Sequence, residues 1–143
     1  MKINIKKKEK TLFLGFSGGQ GSGKTTITGI LTIILKKYFQ RKVLKISIDD
    51  FYKTLEERSK MSKGTHALFK TRGVPGTHDV NLIMKFFNFI KKKKFKKFRI
   101  PKFAKNLDDR LKKKYWYKIK AKPEIVILEG WCVGARPQTN DLI

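Results

Sequence analysis

Three short apolar runs along the chain predict buried strands. They cover 11–17 (TLFLGFS), 43–48 (VLKISI) and 124–128 (EIVIL), and each is followed at once by glycine or acidic residues. A short apolar run bounded by turn-forming residues is typical of a strand buried on both faces. A fourth run, 98–103, is predicted to be a short edge strand, because Pro101 cannot donate a hydrogen bond to a neighbouring strand.

Between these runs, apolar residues recur at the spacing of a helix. From Lys24 onward, apolar residues recur at alternating intervals of three and one, which places them on one side of a helix. We also predict a short helix over 55–61 and a helix over 80–92, whereas 71–79 is rich in glycine and proline and is predicted to be a loop. Residues 104–122 are charged and show no clear period. The apolar positions of the first helix are Ile27, Ile30, Leu31, Ile34, Leu35 and Tyr38.

The order strand, loop, helix, strand is that of a βαβ unit in a parallel sheet, so the predicted class is α/β. We interpret residues 1–10 as a basic N-terminal arm and 11–143 as one domain. The sequence shows neither an internal repeat nor a clear second domain.

A glycine-rich segment joins the first strand to the first helix. It reads GGQGSGKT over 18–25 and matches the pattern G-x-x-x-x-G-K-[ST] of phosphate-binding loops. Glycines let backbone N–H groups approach phosphate oxygens, Lys24 would reach the outer phosphates, and the hydroxyl of Thr25 would bind Mg²⁺. The alternative is a glycine-rich turn without a ligand. The predicted ATP-binding residues are Gly18, Gly19, Gln20, Gly21, Ser22, Gly23, Lys24, Thr25 and Thr26.

Acidic residues follow two of the predicted strands. Asp49 and Asp50 end the run 43–48, and Glu129 follows the run 124–128. Ligands of parallel sheets bind at the carboxyl ends of the strands. Asp49 or Asp50 would therefore suit proton removal from a substrate hydroxyl, and Glu129 would suit Mg²⁺. The alternatives are turn or cap formation for the aspartates and a simple surface carboxylate for Glu129.

Charge and composition limit the possible partners. The chain has 35 Lys and Arg against 11 Asp and Glu, a net charge of +24, which would favour polyanions. The cations are mostly lysines spread along the whole chain, as a bias toward A/T-rich codons would produce. We therefore expect no specific nucleic-acid partner. The lone Cys132 excludes an intramolecular disulfide, and no apolar run approaches membrane-spanning length, so we expect a cytoplasmic protein without membrane association.

Four segments together resemble the P-loop glycerate kinases of the D-glycerate 3-kinase type. These enzymes are grouped with uridine kinase, phosphoribulokinase and bacterial pantothenate kinase. The segments are GFSGGQGSGKTT at 15–26, SIDDFY at 47–52, TRGVPGTHDV at 71–80 and VILEGWCVG at 126–134. The resemblance implies a three-layer P-loop kinase fold with a parallel sheet. Related kinases continue well beyond the last of these segments, so we expect the fold to lack its usual C-terminal part.

The resemblance also implies roles for single residues. Asp49 occupies the position of the general base, with Lys24 as the second catalytic residue, and Glu129 the acidic position near the metal. Ala104 stands where the Asp of the family's Asp-Lys-Ser segment is expected and Asn106 where its Ser is expected, and the Gly-rich stretch that follows in the family is missing. The family's later Asp-Arg pair is kept as Asp109 and Arg110. The residues expected to contact the acceptor are Asp50, Arg72, His78, Asp79 and Arg110.

The predicted function is transfer of the γ-phosphoryl group of ATP, with Mg²⁺, to a hydroxyl of a small molecule, and D-glycerate is the best candidate. Three alternatives stay open at this point. One is an ATP-binding remnant without kinase activity, another is an enzyme similar to uridine or pantothenate kinase, and the third is a nucleic-acid-binding protein.

Overall fold

The computed structural model of the protein describes residues 10–73, 75–92, 95 and 97–136. Short 3₁₀ turns occur at Ile48–Phe51, Ala67–Lys70 and Lys113–Tyr115. The helices and strands are, in chain order, β1 (Leu12–Ser17), α1 (Lys24–Lys37), β2 (Val43–Ser47), α2 (Leu55–Gly64), α3 (Val80–Lys91), β3 (Phe98–Ile100), β4 (Phe103–Ala104), β5 (Asp109–Arg110), β6 (Tyr117–Ile119) and β7 (Ile125–Gly130).

The main sheet is parallel and has the order β1-β7-β2. Strand β7 is central: Val126 lies opposite Phe13 of β1 on one side and Leu44 of β2 on the other. Its residues are buried except for the half-buried Leu128, as the apolar run predicts. All three strands run in the same direction, so their carboxyl ends meet at one edge of the sheet.

Helices cover both faces of this sheet. On one face, Phe86 and Ile90 of α3 are buried against Ile46 and Val126. On the other face, α1 packs against a second cluster that includes Val43. Side chains alternate between the two faces along each strand, so the apolar runs supply both clusters. The three-layer α/β fold expected from the sequence is confirmed.

Helix α1 buries less of its apolar surface than the spacing of its residues predicts. Leu31 and Leu35 pack on the sheet. Ile27 and Ile30, which belong to the same predicted apolar face, are 55% and 53% exposed, and Ile33 is 60% exposed. The prediction of a helix is confirmed, and of the apolar side that its spacing defines, Leu31 and Leu35 pack on the sheet while its N-terminal part is exposed.

Other predicted boundaries need small corrections. The helix predicted over 55–61 continues to Gly64, and the strand predicted over 98–103 is divided at Pro101 into β3 and β4. Glu129 and Gly130 belong to β7 rather than following it. The unassigned segment 104–122 supplies β5 and β6, which pair antiparallel with β4 and β3 respectively. Of the predicted arm 1–10, residues 1–9 lie outside the described residues.

Candidate active site

The glycine-rich loop between β1 and α1 has the geometry of a phosphate cradle. Gly21 and Gly23 have φ angles of 74° and 79°, which side chains other than glycine rarely tolerate. A Cβ atom added at Gly19, Gly21 or Gly23 would meet no atom within 4 Å, so the space beside the loop is open. Helix α1 begins after Gly23 without a side-chain cap, which leaves its first N–H groups available to an anion.

Lys24 lies folded over this loop. Its Nζ donates a hydrogen bond to the carbonyl oxygen of Gly19 and lies 3.5 Å from Oγ of Ser22. Its ammonium group is therefore held by neutral oxygens of the loop rather than by a carboxylate. A phosphate oxygen would be a stronger acceptor than either of them.

Thr25 and Glu129 meet at the carboxyl edge of the sheet. The Thr25 hydroxyl donates to the Glu129 carboxylate, at 3.2 Å from Oε1 and 3.1 Å from Oε2. Glu129 is 7% exposed, and no lysine, arginine or histidine of the described residues forms an ion pair with it. A buried carboxylate without a cationic partner is unfavourable, so a divalent cation bound by these oxygens would compensate the charge.

This oxygen pair fits Mg²⁺, which usually keeps several water ligands and takes only one or two carboxylates from the protein. The described residues contain no group of three or more His, Cys, Asp or Glu arranged to hold a metal. The predicted roles of Thr25 and Glu129 at the metal stay a prediction that this geometry supports.

A cavity of about 730 Å³ joins the loop to Asp49. Eight of the residues proposed from the sequence line it, together with six that the sequence analysis did not select. The eight are Gly19, Gln20, Gly21, Lys24, Thr25, Asp49, Arg72 and Glu129, and the six are Ser47, Tyr52, Gly73, Lys105, Gly130 and Trp131. The other predicted ATP-binding residues, which are Gly18, Ser22 and Gly23 of the loop and Thr26 of α1, do not line the cavity.

Asp49 is placed by the 3₁₀ turn that follows β2. Its backbone N–H donates to Oγ of Ser47 at 3.3 Å, which caps this turn. Its carboxylate faces the cavity and lies 3.0 Å from Nζ of Lys105. The predicted general base and the phosphate loop therefore share one cavity.

The adjacent Asp50 points elsewhere. Its carboxylate accepts a hydrogen bond from the backbone N–H of Phe103 at 3.2 Å and pairs with Lys102 at 3.2 Å. It does not line the cavity, so the structure distinguishes the two aspartates that the sequence analysis left as alternatives. Its predicted contact with the acceptor stays a prediction.

Asp79 and Arg110 lie behind the cavity wall. Asp79 caps α3 by accepting from the N–H of Leu82 at 2.9 Å, and it pairs with Arg110 at 2.9 Å. Arg110 also pairs with Glu57 of α2 at 3.1 Å. These contacts join α2, α3 and β5, and neither residue lines the cavity that holds Asp49.

His78 is buried behind Tyr52, with the two rings stacked 4.1 Å apart. Burial lowers the pKa of His78, although the charge of Asp49 partly opposes this effect. Burial, together with the same charge, raises the pKa of Tyr52 to about 12. Both side chains are therefore neutral near pH 7, so Tyr52 presents a protonated phenol to the cavity.

Comparison with known proteins agrees with this geometry. Residues 13–137 match the phosphoribulokinase/uridine kinase family. The chain belongs to this family. Its resemblance to kinases of the group, which the sequence analysis inferred from four segments, is confirmed.

Three proteins similar to this family member illustrate how much of a relative the chain covers. The chain is 31% identical to the chloroplastic D-glycerate 3-kinase of Arabidopsis thaliana, over 92% of the chain and 30% of that protein. It is 36% identical to an uncharacterised kinase of Schizosaccharomyces pombe, over 90% of the chain and 48% of the relative. The solved structure of D-glycerate 3-kinase from Cryptococcus neoformans superposes with a TM-score of 0.80 at 30% identity, over 93% of the chain and 47% of that structure. The chain spans about half or less of each relative.

Of the six cavity residues that the sequence analysis did not select, two had a signal in the sequence of this family member. Tyr52 closes the SIDDFY segment, so the segment itself could have indicated it. Lys105 stands between Ala104 and Asn106, where the resemblance places the lysine of an Asp-Lys-Ser segment, although it is also one lysine among many in a chain with 35 basic residues. Its position depends on the folding of the segment 104–122, which the sequence pattern did not resolve.

Within the described ranges, no helix combines the length and the apolar character that crossing a bilayer requires. The cytoplasmic location expected from the sequence stays a prediction.

Proposed function

We propose that this protein transfers the γ-phosphoryl group of ATP to a hydroxyl of a small organic acid, with D-glycerate as the best candidate. The observation that carries the proposal is the single cavity that joins the phosphate loop, the Thr25–Glu129 pair and the carboxylate of Asp49. Two relatives named D-glycerate 3-kinase support the choice of acceptor.

Each group has a defined task in the proposed transfer. The loop N–H groups and Lys24 bind the β- and γ-phosphates and stabilise the charge that develops between them. Thr25 and Glu129 hold Mg²⁺, which when bound neutralises phosphate charge. Asp49 accepts the proton of the acceptor hydroxyl, whose oxygen forms the new bond to the γ-phosphorus as the bond to the β-phosphate oxygen breaks and ADP leaves.

The anionic acceptor is consistent with the charge of the cavity. Arg72 and Lys105 both line it, in addition to Lys24 at the phosphate loop. A guanidinium has five N–H donors, so Arg72 can bind a carboxylate while it keeps its pairing with Asp108.

The test is ADP release from Mg·ATP with D-glycerate, uridine and pantothenate as separate acceptors. We expect turnover with D-glycerate, and a fall of about 100- to 10,000-fold in kcat for Asp49→Asn, because general-base catalysis contributes about that factor. Asp49→Asn should still be stabilised against heat by Mg·ATP, whereas Lys24→Ala should lose both that stabilisation and the turnover.

Three outcomes would contradict the proposal. Turnover with uridine or pantothenate but not with D-glycerate would change the acceptor class. Mg·ATP binding without transfer to any of the three would favour an ATP-binding module. Full activity of Asp49→Asn would show that another group removes the proton.

A further inference from the structure

Lys105 holds the carboxylate that the proposed mechanism needs as its base. Its Nζ lies 3.0 Å from Oδ2 of Asp49, and both residues line the same cavity. An ammonium in this position competes with an acceptor hydroxyl for the carboxylate of Asp49. The ammonium of Lys105 therefore inhibits the proposed base, and an acceptor must displace it from Asp49 before the hydroxyl can react.

The ion pair between Lys105 and Asp49 is partly exposed to solvent. The side chain of Lys105 is 67% exposed and that of Asp49 is 27% exposed, so water screens the attraction between them. A half-exposed ion pair contributes little to stability, because solvation competes with it and ordering two side chains costs entropy. A second carboxylate entering the cavity would compete with Asp49 for the same ammonium on nearly equal terms.

The turn that carries Lys105 is connected to the rest of the domain through Asp108. Lys105 starts the turn between β4 and β5, and its carbonyl oxygen accepts from the N–H of Asp108 at the end of the turn, at 3.4 Å. Asp108 is bound in turn by Arg58, which is fully buried, and by Arg72. Lys105 thus presents an exposed side chain from a turn whose other end is bound by two arginines.

We propose that Lys105 determines acceptor specificity by exchanging partners, leaving Asp49 for the anionic group of the acceptor. This inference rests on the proposed function and adds to it. An acid such as D-glycerate both supplies the hydroxyl and removes the ammonium that occupies the base. A neutral alcohol of the same size leaves Lys105 on Asp49 and reacts slowly.

Arg72 complements this exchange from a fixed position. It is bound to Asp108, and its guanidinium lies 5.8 Å from the ring centre of Phe103. An acceptor carboxylate would meet one immobile cation, Arg72, and one that moves, Lys105. When Lys105 transfers to the carboxylate of the acceptor, binding of the acid frees the carboxylate of Asp49.

The test compares D-glycerate with its neutral amide, glyceramide, which keeps both hydroxyls and lacks the charge. For the wild-type chain, kcat/KM should favour D-glycerate by about 10- to 100-fold, the usual worth of a hydrogen bond to a charged group. Lys105→Met should lose most of this preference, through a higher KM for D-glycerate and a faster turnover of glyceramide, because no ammonium then occupies the carboxylate of Asp49. Lys105→Arg should restore part of the preference.

Lys102→Met is the matched control. Lys102 lies in the same segment and pairs with the neighbouring Asp50 at 3.2 Å, but it does not line the cavity. We expect its preference for the acid to equal that of the wild type. A change as large as that of Lys105→Met would show a general effect of charge and overturn the inference.

The remaining outcomes separate this inference from the proposed function. If the wild type uses D-glycerate and Lys105→Met keeps the full preference for the acid, the exchange of partners is wrong and the kinase assignment stands. Equal use of both compounds by the wild type would likewise overturn the inference alone. If the wild type binds Mg·ATP but phosphorylates neither compound, the proposed function fails and the inference fails with it.

Discussion

Among the described residues, Lys105 is the cation that forms an ion pair with Asp49. The stacked rings of Tyr52 and His78 form the wall behind it, and both are neutral near pH 7 because burial disfavours their charged forms. Nε2 of His78 has no hydrogen-bond partner among the described residues. Protonation of this imidazole would place a positive charge on a buried ring whose Nε2 has no hydrogen-bond acceptor, and this would destabilise the folded chain.

The free energy of unfolding should decrease as the pH falls below about 6.5. The pKa of His78 is lower in the folded chain than its ordinary value of 6.5, so the unfolded chain binds the proton more readily. The contribution of His78 is complete above that value and is lost as the pH falls toward the lowered pKa, by up to about 1.4 kcal/mol per pH unit. Urea unfolding at a series of pH values measures this slope.

His78→Phe keeps a stacked ring without a titrating group, so the slope between pH 7 and the acid range should flatten. An equal slope in wild type and His78→Phe would contradict the role of His78.

Small elements around the sheet depend on side chains from distant parts of the chain. Arg58 of α2 is fully buried, and it donates to the backbone carbonyls of Lys70 and Asp108 and to the Asp108 carboxylate. Burial tends to raise the pKa of Asp108, but its hydrogen bonds to Arg72 and Arg58 outweigh this effect and lower it. One guanidinium thus connects α2, the 3₁₀ turn Ala67–Lys70 and the β4–β5 hairpin.

Replacing this arginine should weaken the fold more than its position on a polar helix suggests. Arg58→Met removes the donors of several carbonyl groups and leaves Asp108 with Arg72 alone. We expect the free energy of unfolding to fall by about 3 kcal/mol, because the buried guanidinium donates to several backbone carbonyl groups that lose their partner. Urea denaturation measures the loss.

The matched control is Lys60→Met on the same helix, whose side chain is 76% exposed and pairs only with Glu56. It should leave stability unchanged. Arg58→Met with wild-type stability would show that α2 and the hairpin hold together without the guanidinium.

The same elements show what the sequence could and could not predict. The strands and long helices follow from hydrophobic period, because each buries enough apolar surface to leave a pattern. Strands β4 and β5 have two residues each, and their hairpin is fixed by Arg58 and Arg72 from far along the chain. No local pattern encodes such contacts, so the position of Lys105 could not be predicted.

For the site itself, the motif and the strand ends indicated the candidate residues, and the structure shows how these residues are arranged around the cavity. The glycine-rich loop, Asp49 and Glu129 could be selected because motif and strand ends point to them. The distinction between Asp49 and Asp50 required coordinates, since it depends on a 3₁₀ turn that directs one carboxylate to the cavity and the other to the N–H of Phe103.

At the scale of the whole molecule, charge is the dominant feature. A net charge of +24 on 143 residues produces repulsion that opposes the compact state. Most lysines have no acidic partner available, because acidic residues number 11. The expectation that no specific nucleic acid binds stays a prediction, and the charge itself is open to a direct physical test.

The thermal midpoint of unfolding should rise with salt. Between about 0.01 M and about 0.15 M NaCl the Debye length shortens from about 30 Å to about 8 Å, which screens repulsion between distant lysines. We expect an increase of several degrees, measured by circular dichroism.

The same increase should occur in Lys24→Ala, because it comes from the overall charge rather than from an anion bound at the phosphate loop. A midpoint that is constant or falls with salt would contradict the account. An increase confined to the wild type would assign it to anion binding at the loop.

The central claim is that the loop 18–25 binds a nucleoside triphosphate at the carboxyl edge of the sheet. Isothermal titration of ATP into the purified chain, with and without Mg²⁺, tests it most directly. We predict binding of one ATP per chain, an affinity that depends on Mg²⁺, and at least a tenfold loss of affinity, roughly one charge-assisted hydrogen bond, in Lys24→Ala. Absence of binding, or equal affinity in wild type and Lys24→Ala, would contradict it.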